Sequence, residues 1–368
     1  MKVILAPDSF KGTLTARQVC EILSEAVLSV NSETEIIKLP IADGGEGTID
    51  AFNAEHKNVT VTGPHFQPVK SYWGIINSDT AVIETAVCAG LSLAAEKDPE
   101  KTTTYGMGEL IKAALDEGIR KFIIALGGSA TNDGGCGMAA ALGVRFYGDD
   151  RKAFIPVGGT LKDIVSIDVS ELDERLKESA VSVMCDVENT LYGENGAAYV
   201  YAPQKGADEK AVGRLDFGLR HLSKIIESDL KIDVSQLRGG GAAGGMGAGA
   251  SVFLTGMLHP GIEIVLDAVD FDGLLDGTDL VISGEGRFDS QSLQGKAISG
   301  ISRRTKKKNI PLVVIAGAVD DSAVIENESG ITAVFSIQRT PLPFELSQLR
   351  TRADLFNTTK NIISLIIC

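Results

Sequence analysis

The sequence is short of histidine, of cysteine pairs and of positive charge, and each shortage excludes a class of protein. The five cysteines form no CxxC pair and the four histidines have no metal-ligand spacing, so we predict neither a disulfide framework nor a zinc site. Lysine and arginine number 35 against 49 acidic residues, a formal net charge of -14. Nucleic acids and anionic membrane surfaces are bound by clustered lysine and arginine. The sequence therefore argues against either as a partner.

Long hydrophobic runs are also missing. The first apolar run ends at Pro7 after four residues, which is too short for the core of an export signal. Residues 239–262 have the length of a membrane span, but nine of them are glycine, and glycine supplies little hydropathy. We therefore expect a cytoplasmic protein. Its 368 residues, 44% hydrophobic and 23% charged, predict about two globular domains.

Aromatic residues are scarce at 5%, whereas glycine is abundant at 41 residues, and many glycines follow short apolar runs. These runs alternate with helical patterns, the first of which has Thr15 as a candidate cap. Strands buried on both faces that alternate with helices predict a parallel α/β sheet. Residues 59–90 alternate instead, which predicts hairpins. The apolar runs occupy residues 3–6, 36–42, 122–126, 180–184, 279–282 and 312–315.

Two strong breaks divide the chain into segments of different character. Pro64 and Pro260 lie in turn sequences that flank a less regular middle part. We predict that this middle part, residues 65–260, is a second α/β domain. It is inserted into a discontinuous parallel-sheet domain that consists of residues 1–64 and 261–368.

Carboxylates follow the ends of several predicted strands. Ligands of open α/β sheets bind beyond the carboxyl ends of the strands, so we expect these acids at one edge. Repelling carboxylates need a counter-charge, and Mg²⁺ prefers one or two carboxylates with water and phosphate oxygens. Any single acid could instead be a helix cap or a turn residue. The acids are Asp8, Asp43, Asp186 and Glu285, directly after predicted strands, and Asp133 and Asp289 a few residues further on.

Glycine is concentrated in two clusters. Residues 127–135 separate a predicted strand from a predicted helix, residues 136–143, and combine four glycines with serine, threonine and asparagine. This composition predicts a loop whose backbone N–H groups bind an anion such as phosphate beside a helix N-terminus. Residues 239–249 contain a GxGxxG spacing without a preceding buried strand, so they indicate no dinucleotide fingerprint. They predict a second surface near phosphate or adenine, and the alternative is close helix packing or a hinge.

Two cations accompany the acids. Lys11 lies three residues after Asp8, and Arg287 lies two residues after Glu285. A lysine point charge and an arginine fork suit a substrate that carries phosphate or carboxylate. A local salt bridge is the alternative for each cation. The phosphate loop GxxxxGK[ST] is absent from the sequence, so any phosphate must be bound in another way.

Five segments of the chain carry long, specific motifs. They are APDSFKG at 6–12, ADGGEGT at 42–48, GGSATNDGG at 127–135, GGGAAGGMGAG at 239–249 and SGEGRFDSQS at 283–292. Together these segments resemble the bacterial type I glycerate kinase family. The resemblance runs from residue 3 to beyond Gly317, which is nearly the whole chain. The sequence departs from the family at Thr190 and at Tyr201-Ala202, where the family usually has Pro and Phe-Gly.

The resemblance implies a fold and an activity. The fold is a Rossmann-like parallel-sheet domain with an inserted α/β domain and an active-site cleft between them. The activity is ATP-dependent phosphorylation of D-glycerate with Mg²⁺, and 2-phosphoglycerate is favoured over 3-phosphoglycerate as the product. Phosphoryl transfer of this kind needs positioning, charge neutralisation and a carboxylate that takes the hydroxyl proton.

Site roles follow from the resemblance as hypotheses. The catalytic residues are Asp8, Lys11, Asp186 and Arg287, with Asp186 or Asp8 as the base. The substrate is bound by Ser9, Lys11, Asp43, Glu285, Arg287 and Asp289. The nucleotide is bound by Gly127, Gly128, Ser129, Thr131, Asn132, Asp133, Gly134, Gly244 and Gly245. The metal ligands are Asp43, Asp186 and Glu285.

Two other functions stay open at this point. One is a kinase-like scaffold that senses glycerate or nucleotide without catalysis, and the other is a kinase for a different small hydroxy acid. Loss of the acidic set would indicate the sensor, and all six acids are present. The sequence does not choose between a monomer and a homodimer.

Overall fold

The structure of the chain is a computed structural model. It describes residues 1–41, 47–293, 297–321, 329–340 and 342–368. Asp43, which the sequence analysis assigns to metal and substrate, lies outside the described residues.

Strands and helices alternate along most of the chain. The strands are β1 (Lys2–Leu5), β2 (Glu35–Lys38), β3 (Glu55–Thr62), β4 (Pro68–Ile76), β5 (Thr80–Glu84), β6 (Lys121–Ala125), β7 (Arg145–Tyr147), β8 (Ala153–Phe154), β9 (Ser166–Asp168), β10 (Ala180–Met184), β11 (Met257–His259), β12 (Leu280–Phe288), β13 (Leu312–Val319) and β14 (Ala333–Ser336). The helices are α1 (Ala16–Val30), α2 (Thr48–Ala51), α3 (Ala86–Ala89), α4 (Tyr105–Asp116), α5 (Cys136–Ala141), α6 (Ala197–Tyr201), α7 (Glu209–Leu230), α8 (Ala242–Phe253), α9 (Gly261–Ala268), α10 (Phe271–Leu274), α11 (Ala297–Lys307), α12 (Phe344–Ser347) and α13 (Thr351–Ile367). Among the helices in the described ranges, none combines the length and the hydropathy of a membrane-crossing segment.

Met1–Asp43 and Pro260–Cys368 form one compact unit. Its sheet has the strand order β14-β13-β12-β1-β2, and all neighbouring strands are parallel. Helices α1 and α13 pack together, and their buried side chains share a core with β1, β12 and β13. The predicted parallel α/β sheet is confirmed. The predicted domain limits at residues 64 and 261 stay a prediction.

Helix α1 begins where the sequence predicts it. The Thr15 hydroxyl accepts the backbone N–H of Gln18 at 3.2 Å, and the Gln18 side chain accepts the Thr15 N–H at 2.9 Å. This reciprocal capping satisfies two N–H groups that the first turn leaves unpaired. Apolar residues at helical spacing then place Val19, Ile22 and Leu23 in the core.

Gly44–His259 form the second unit. Its larger sheet has the order β11-β10-β6-β5-β4-β3. The first four of these strands are parallel, whereas β4 is antiparallel to both β5 and β3. The hairpins predicted from the alternating sequence are therefore confirmed. A small antiparallel sheet, β8-β7-β9, completes the unit.

Strands β12 and β13 run further than the sequence predicted. The apolar runs end at Ile282 and Ile315, but the pairing continues to Phe288 opposite Val319. The glycines that look like turn residues lie inside the pair, because they allow close approach of the two backbones. A Cβ atom at Gly284 would lie 2.4 Å from the Ile315 carbonyl oxygen. Two residues assigned to the loop, Glu285 and Arg287, therefore lie on β12 itself.

Candidate active site

Strands β1 and β12 bring Asp8 to the carboxyl edge of the sheet in the first unit. Beyond the end of β1, the Asp8 N–H donates to the Gly284 carbonyl oxygen at 2.8 Å. This bond keeps the chain beside β12. The Asp8 side chain is half-buried, and its Oδ1 accepts the backbone N–H of Ser9 at 2.5 Å. Asp8 and Ser9 thus lie next to the part of β12 that carries Glu285.

A turn after Asp8 places Lys11 at the same edge. Buried Phe10 anchors the turn. A Cβ atom at Gly286 would lie 3.2 Å from the Lys11 backbone nitrogen and 3.4 Å from the Phe10 Cα, so the missing side chain lets the turn rest on β12. The Lys11 residue is exposed, and Glu285 is half-buried. The structure therefore brings two acids and one cation together at this edge.

Arg287 pairs with an acid of the neighbouring strand. Its guanidinium forms an ion pair with Asp320, directly after β13. The hydrogen bond from this pairing raises the pKa of Arg287. The local ion pair that was the alternative for this arginine is therefore present. The side chain is still 66% exposed, which leaves it accessible to a ligand.

Asp289 has a local role in the turn that follows β12. Its backbone N–H donates to the Ser292 hydroxyl at 3.0 Å, and its Oδ1 accepts the Ser292 N–H at 3.3 Å. These two bonds close the short 3-10 helix Ser290–Leu293. For this acid the structure shows the turn role that the sequence left as an alternative.

The acids of the first unit fit a hard cation by donor type. In the described part of the chain, no three histidine, cysteine, aspartate or glutamate side chains are grouped so that they could hold a metal ion. Asp186 belongs to the second unit. Glu285, the proposed metal ligand that the structure describes in the first unit, is a half-buried oxygen donor on β12. Mg²⁺ needs only one or two such carboxylates when phosphate oxygens and water complete its shell.

The glycine-rich loop after β6 is largely buried. Residues 127 and 128 reach the surface, whereas residues 129–135 are buried. The N–H groups of Ala130 and Gly134 donate to backbone carbonyls of neighbouring segments at 2.8 and 3.1 Å. The protein itself therefore uses these two N–H groups. The assignment of the loop to a nucleotide stays a prediction.

Asp133 organises this loop from within. Its Oδ2 accepts the backbone N–H of Thr104 at 2.7 Å, the Thr104 hydroxyl at 2.9 Å and the Gly137 N–H at 3.2 Å. Its Oδ1 accepts the Gly135 N–H at 3.1 Å. Burial raises the pKa of Asp133, and these hydrogen bonds oppose the rise. The carboxylate thus ties the loop to the starts of α4 and α5.

The second glycine cluster packs directly against the first. Gly244 and Gly245 have left-handed backbone angles at the kinked start of α8. A Cβ atom at Gly244 would lie 2.0 Å from the Thr131 carbonyl oxygen, and one at Gly245 would lie 2.9 Å from the Gly134 Cα. For these two glycines the structure shows the close packing that the sequence left as an alternative to ligand contact.

Two consecutive loop residues hold polar atoms that the fold does not satisfy. Thr131 and Asn132 are fully buried. Among the described residues, the Thr131 hydroxyl and both the oxygen and the nitrogen of the Asn132 amide are buried without a hydrogen-bond partner. Leaving such a group unpaired costs about 1–3 kcal/mol. The loop therefore carries an energetic cost that packing alone does not explain.

Thr131→Val is expected to stabilise the ligand-free protein by about 1–3 kcal/mol, because valine has nearly the same shape and removes the unpaired hydroxyl. Urea unfolding monitored by the fluorescence of Trp73, the one tryptophan of the sequence, would measure the change in this unit. Thr104→Val is the matched control. Thr104 is equally buried, but its hydroxyl donates to Asp133 and accepts the Met138 N–H, so this change should destabilise. A lower stability of Thr131→Val would contradict the unpaired hydroxyl.

Lys205 is a candidate that sequence reasoning missed. It ends the short 3-10 helix Pro203–Lys205 and is only 2% exposed. Its ammonium donates to the Ser129 hydroxyl at 2.8 Å and to the Thr131 carbonyl oxygen at 2.7 Å. Burial lowers the pKa of Lys205 to about 7, and Asp133 opposes this shift. Lys205 lies three residues after Tyr201-Ala202, where the sequence departs from the family pattern. A single lysine followed by a glycine gives no sign in the sequence that the lysine is buried.

Asp186 lies at the carboxyl edge of the parallel strands in the second unit. It follows β10, whose Met184 pairs with Ala125 of β6, so Asp186 and the glycine-rich loop leave the sheet at the same edge. The Asp186 residue is exposed. The segment after it is held by a hydrogen bond of 2.6 Å from the Tyr201 hydroxyl to the Asn189 side chain.

Glu84 is a second residue that the sequence analysis did not single out. It ends β5 and is buried, and its carboxylate accepts the backbone N–H of Ile49 at 2.6 Å and of Gly47 at 3.1 Å. The two bonds hold the start of α2. The sequence showed only an alternating strand here, which predicts the strand but not the partner of its last residue.

Comparison with known proteins identifies relatives along the whole chain. Residues 3–367 match the model of the glycerate kinase family. A glycerate kinase from Bacillus cereus is 45% identical over 369 residues, which cover 98% of this chain and 97% of that protein. A glycerate 2-kinase from Escherichia coli is 42% identical over 344 residues, which cover 92% of this chain and 90% of that protein.

The fold agrees with these relatives. A crystal structure assigned to glycerate kinase 2 from Salmonella typhimurium LT2 matches with a TM-score of 0.89 at 40% sequence identity, and the match covers 100% of this chain and 98% of that chain. The resemblance inferred from the five sequence segments is thereby confirmed. By family model, by sequence identity and by fold, the chain belongs to the glycerate kinase family.

Proposed function

We propose that the protein transfers the γ-phosphoryl group of ATP to O2 of D-glycerate and releases 2-phosphoglycerate and ADP. Membership of the glycerate kinase family supports the kinase activity. The observation that carries the proposal is the meeting of Asp8, Lys11 and Glu285 at one sheet edge. The choice of O2 is supported by the relative from Escherichia coli, which is a glycerate 2-kinase.

A carboxylate base starts the reaction. The 2-hydroxyl oxygen of glycerate attacks the γ-phosphorus, the base takes the hydroxyl proton, and the bond between the γ-phosphorus and the bridging oxygen breaks so that ADP leaves. Asp8 and Asp186 are the two candidates for the base. The half-buried position of Asp8 beside β12 favours it, because partial exclusion of water helps to orient a carboxylate toward one hydroxyl.

Cations neutralise the charge that collects around the transferred group. Lys11 and Arg287 are proposed to contact the glycerate carboxylate or the phosphoryl oxygens, with Ser9 and Asp289 nearby in the substrate set. A guanidinium binds a carboxylate or phosphate with two parallel hydrogen bonds, which orients it as well as attracts it. Arg287 would have to share its guanidinium with Asp320 or exchange that partner for the substrate.

Mg²⁺, when bound, supplies further neutralisation of the phosphate oxygens. Its proposed ligands are Asp43, Asp186 and Glu285, which are oxygen donors of the kind the ion prefers. The proposed nucleotide contacts are those of the glycine-rich loop, residues 127–134, with Gly244 and Gly245. In this proposal the loop holds the phosphates of ATP, and the packing of Gly244 on Thr131 keeps the loop in shape.

Release of ADP, coupled to NADH oxidation, would test the proposal with D-glycerate as substrate. NMR of the product would distinguish 2-phosphoglycerate from 3-phosphoglycerate. L-Glycerate and other small hydroxy acids are the control substrates, and a much better rate with one of them would reassign the substrate. No ADP release above background with any of these acids would refute kinase activity and would favour a ligand sensor.

Arg287→Gln is expected to lower kcat/KM for glycerate by about 10–100-fold, because a charge-assisted hydrogen bond contributes about 1.5–3 kcal/mol. A rise in KM alone would place Arg287 on the glycerate carboxylate, and a fall in kcat would place it on the transferred phosphoryl group. Arg352→Gln is the matched control, since this arginine is 62% exposed and paired with Glu25 at 2.8 Å. Equal kinetics for the two variants would remove Arg287 from the site.

A further inference from the structure

The glycine-rich loop has a cation beneath it that the proposed site does not contain. We propose that Lys205 is the positioning residue of this loop and supplies the positive charge that favours a phosphate group of the nucleotide at the loop. The inference rests on the proposed function, because it takes residues 127–134 as the nucleotide-binding segment. It adds a residue outside both glycine clusters to that segment.

Contacts with two loop residues define the position of the ammonium. Lys205 Nζ donates to the Ser129 hydroxyl at 2.8 Å and to the Thr131 carbonyl oxygen at 2.7 Å. Two of its three N–H groups therefore hold the loop on either side of Ala130. The Ser129 hydroxyl accepts one of these bonds, so its own hydrogen is directed to another acceptor. Ser129 adjoins Gly127 and Gly128, the two loop residues that reach the surface.

The charge distribution around the glycine-rich loop also favours this role for Lys205. Asp133 is the one charged residue within residues 127–135, and its oxygens accept four internal hydrogen bonds. A phosphate at this loop would therefore meet a carboxylate that neighbouring groups already satisfy. Lys205 donates two hydrogen bonds to this loop, and its charge acts through a buried, weakly screened region. An acidic protein that binds phosphate needs such a placed cation.

Buried polar groups without hydrogen-bond partners lie in the same loop and support this role independently. The Thr131 hydroxyl and the Asn132 amide are buried without partners in the described structure, and Thr131 also accepts from Lys205 through its carbonyl oxygen. Polar groups left unpaired in the ligand-free protein find partners when a polar ligand reorganises the loop, so binding recovers part of their cost. A lysine with a purely structural role in a turn does not require unpaired polar groups beside it.

The protonation state of Lys205 can be measured, and a purely structural role would not change it on ligand binding. Burial lowers the pKa of the ammonium to about 7, whereas Asp133, which faces it from the loop, opposes the shift. The backbone of Lys97 packs against Gly206, the residue after Lys205, and Lys97 itself is exposed. At pH 8 Lys205 is therefore mostly neutral in the free protein. A bound phosphate would raise its pKa, so the protein would take up a proton on binding.

Lys205→Met tests the charge with little change in side-chain length. Isothermal titration with ADP and with inorganic triphosphate is expected to show a Kd at least about 10-fold higher than for the wild type. Lys210→Met, at an exposed lysine of α7, is the matched control and should bind both ligands like the wild type. Far-UV circular dichroism and Trp73 fluorescence would verify the fold of each variant. A folded Lys205→Met that binds ADP as tightly as the wild type overturns the inference.

Proton uptake by the wild type keeps the test valid where Lys205→Met does not fold. ADP titrations at pH 8 in buffers of different ionisation enthalpy are expected to show uptake of about one proton per ADP bound. No uptake, or release, overturns the inference. Its failure is distinguishable from failure of the proposed function. Absence of D-glycerate phosphorylation refutes the proposed function, whereas active enzyme whose ADP binding ignores Lys205 refutes the role of this residue alone.

Discussion

Asp8→Asn is expected to lower kcat by about 10²–10⁴-fold and to leave the fold unchanged. Asparagine has the size of aspartate, and its amide oxygen can still accept the Ser9 N–H that the Asp8 carboxylate accepts at 2.5 Å. The amide cannot take a proton from the glycerate hydroxyl, so the step that needs a base slows. ADP release at saturating ATP and glycerate would measure kcat, and circular dichroism would confirm the fold.

Asp279→Asn is the matched control for this prediction. The Asp279 carboxylate also accepts a backbone N–H, that of Lys2 at 2.8 Å, but it lies just before β12 and so at the opposite end of the same two strands. Its replacement should leave kcat near the wild-type value. A small effect of Asp8→Asn, similar to that of the control, would remove Asp8 from the catalytic set and leave Asp186 as the candidate base.

Rules about strand ends predict where these acids meet, because they depend on backbone topology. An apolar run followed by Asp8 predicts a strand and a polar group at its carboxyl end, and the β1–β12 pairing confirms the strand and its parallel neighbour. Thr15 predicts the start of α1, because capping is decided by residues three positions apart. Local patterns of this kind can be read from the sequence alone.

Contacts between distant segments could not be predicted in the same way. Gly284 and Gly286 look like turn residues, yet they lie inside β12. The Ile315 carbonyl approaches Gly284 too closely for a side chain, and the turn through Phe10 and Lys11 rests on Gly286. The sequence contains no mark of that approach. Asp133 presents the same difficulty: an acid in a glycine-rich loop suggests a ligand contact, but its oxygens accept bonds from Thr104, about 30 residues earlier in the chain.

Lys205 could not be recognised as a site residue from the sequence alone. It lies 74 residues from Thr131, to which it donates, and nothing around it in the sequence distinguishes it from an exposed lysine. Its burial becomes visible only once the segment after α6 is packed against the loop. Groups that pay a desolvation cost are therefore better indicators of function in the structure than in the sequence.

Gly244→Ala is expected to destabilise the second unit by about 2–5 kcal/mol. The residue has φ of +70°, which costs an alanine about 1–2 kcal/mol, and its Cβ would lie 2.0 Å from the Thr131 carbonyl oxygen. The obstacle is backbone, so relief requires either the loop or the start of α8 to move. Urea unfolding monitored by Trp73 fluorescence would measure the loss, since Trp73 is buried in this unit.

Gly213→Ala supplies the opposite case within the same unit. Gly213 lies inside α7, and a Cβ atom there would have nothing within 4 Å, so alanine should stabilise the helix by up to about 1 kcal/mol. If both variants kept wild-type stability, the close packing of the two glycine clusters would be contradicted. Lower stability of Gly244→Ala together with weaker ADP binding would link this packing to the loop that we assign to the nucleotide. The reason is that a shift of Thr131 also moves the carbonyl oxygen to which Lys205 donates.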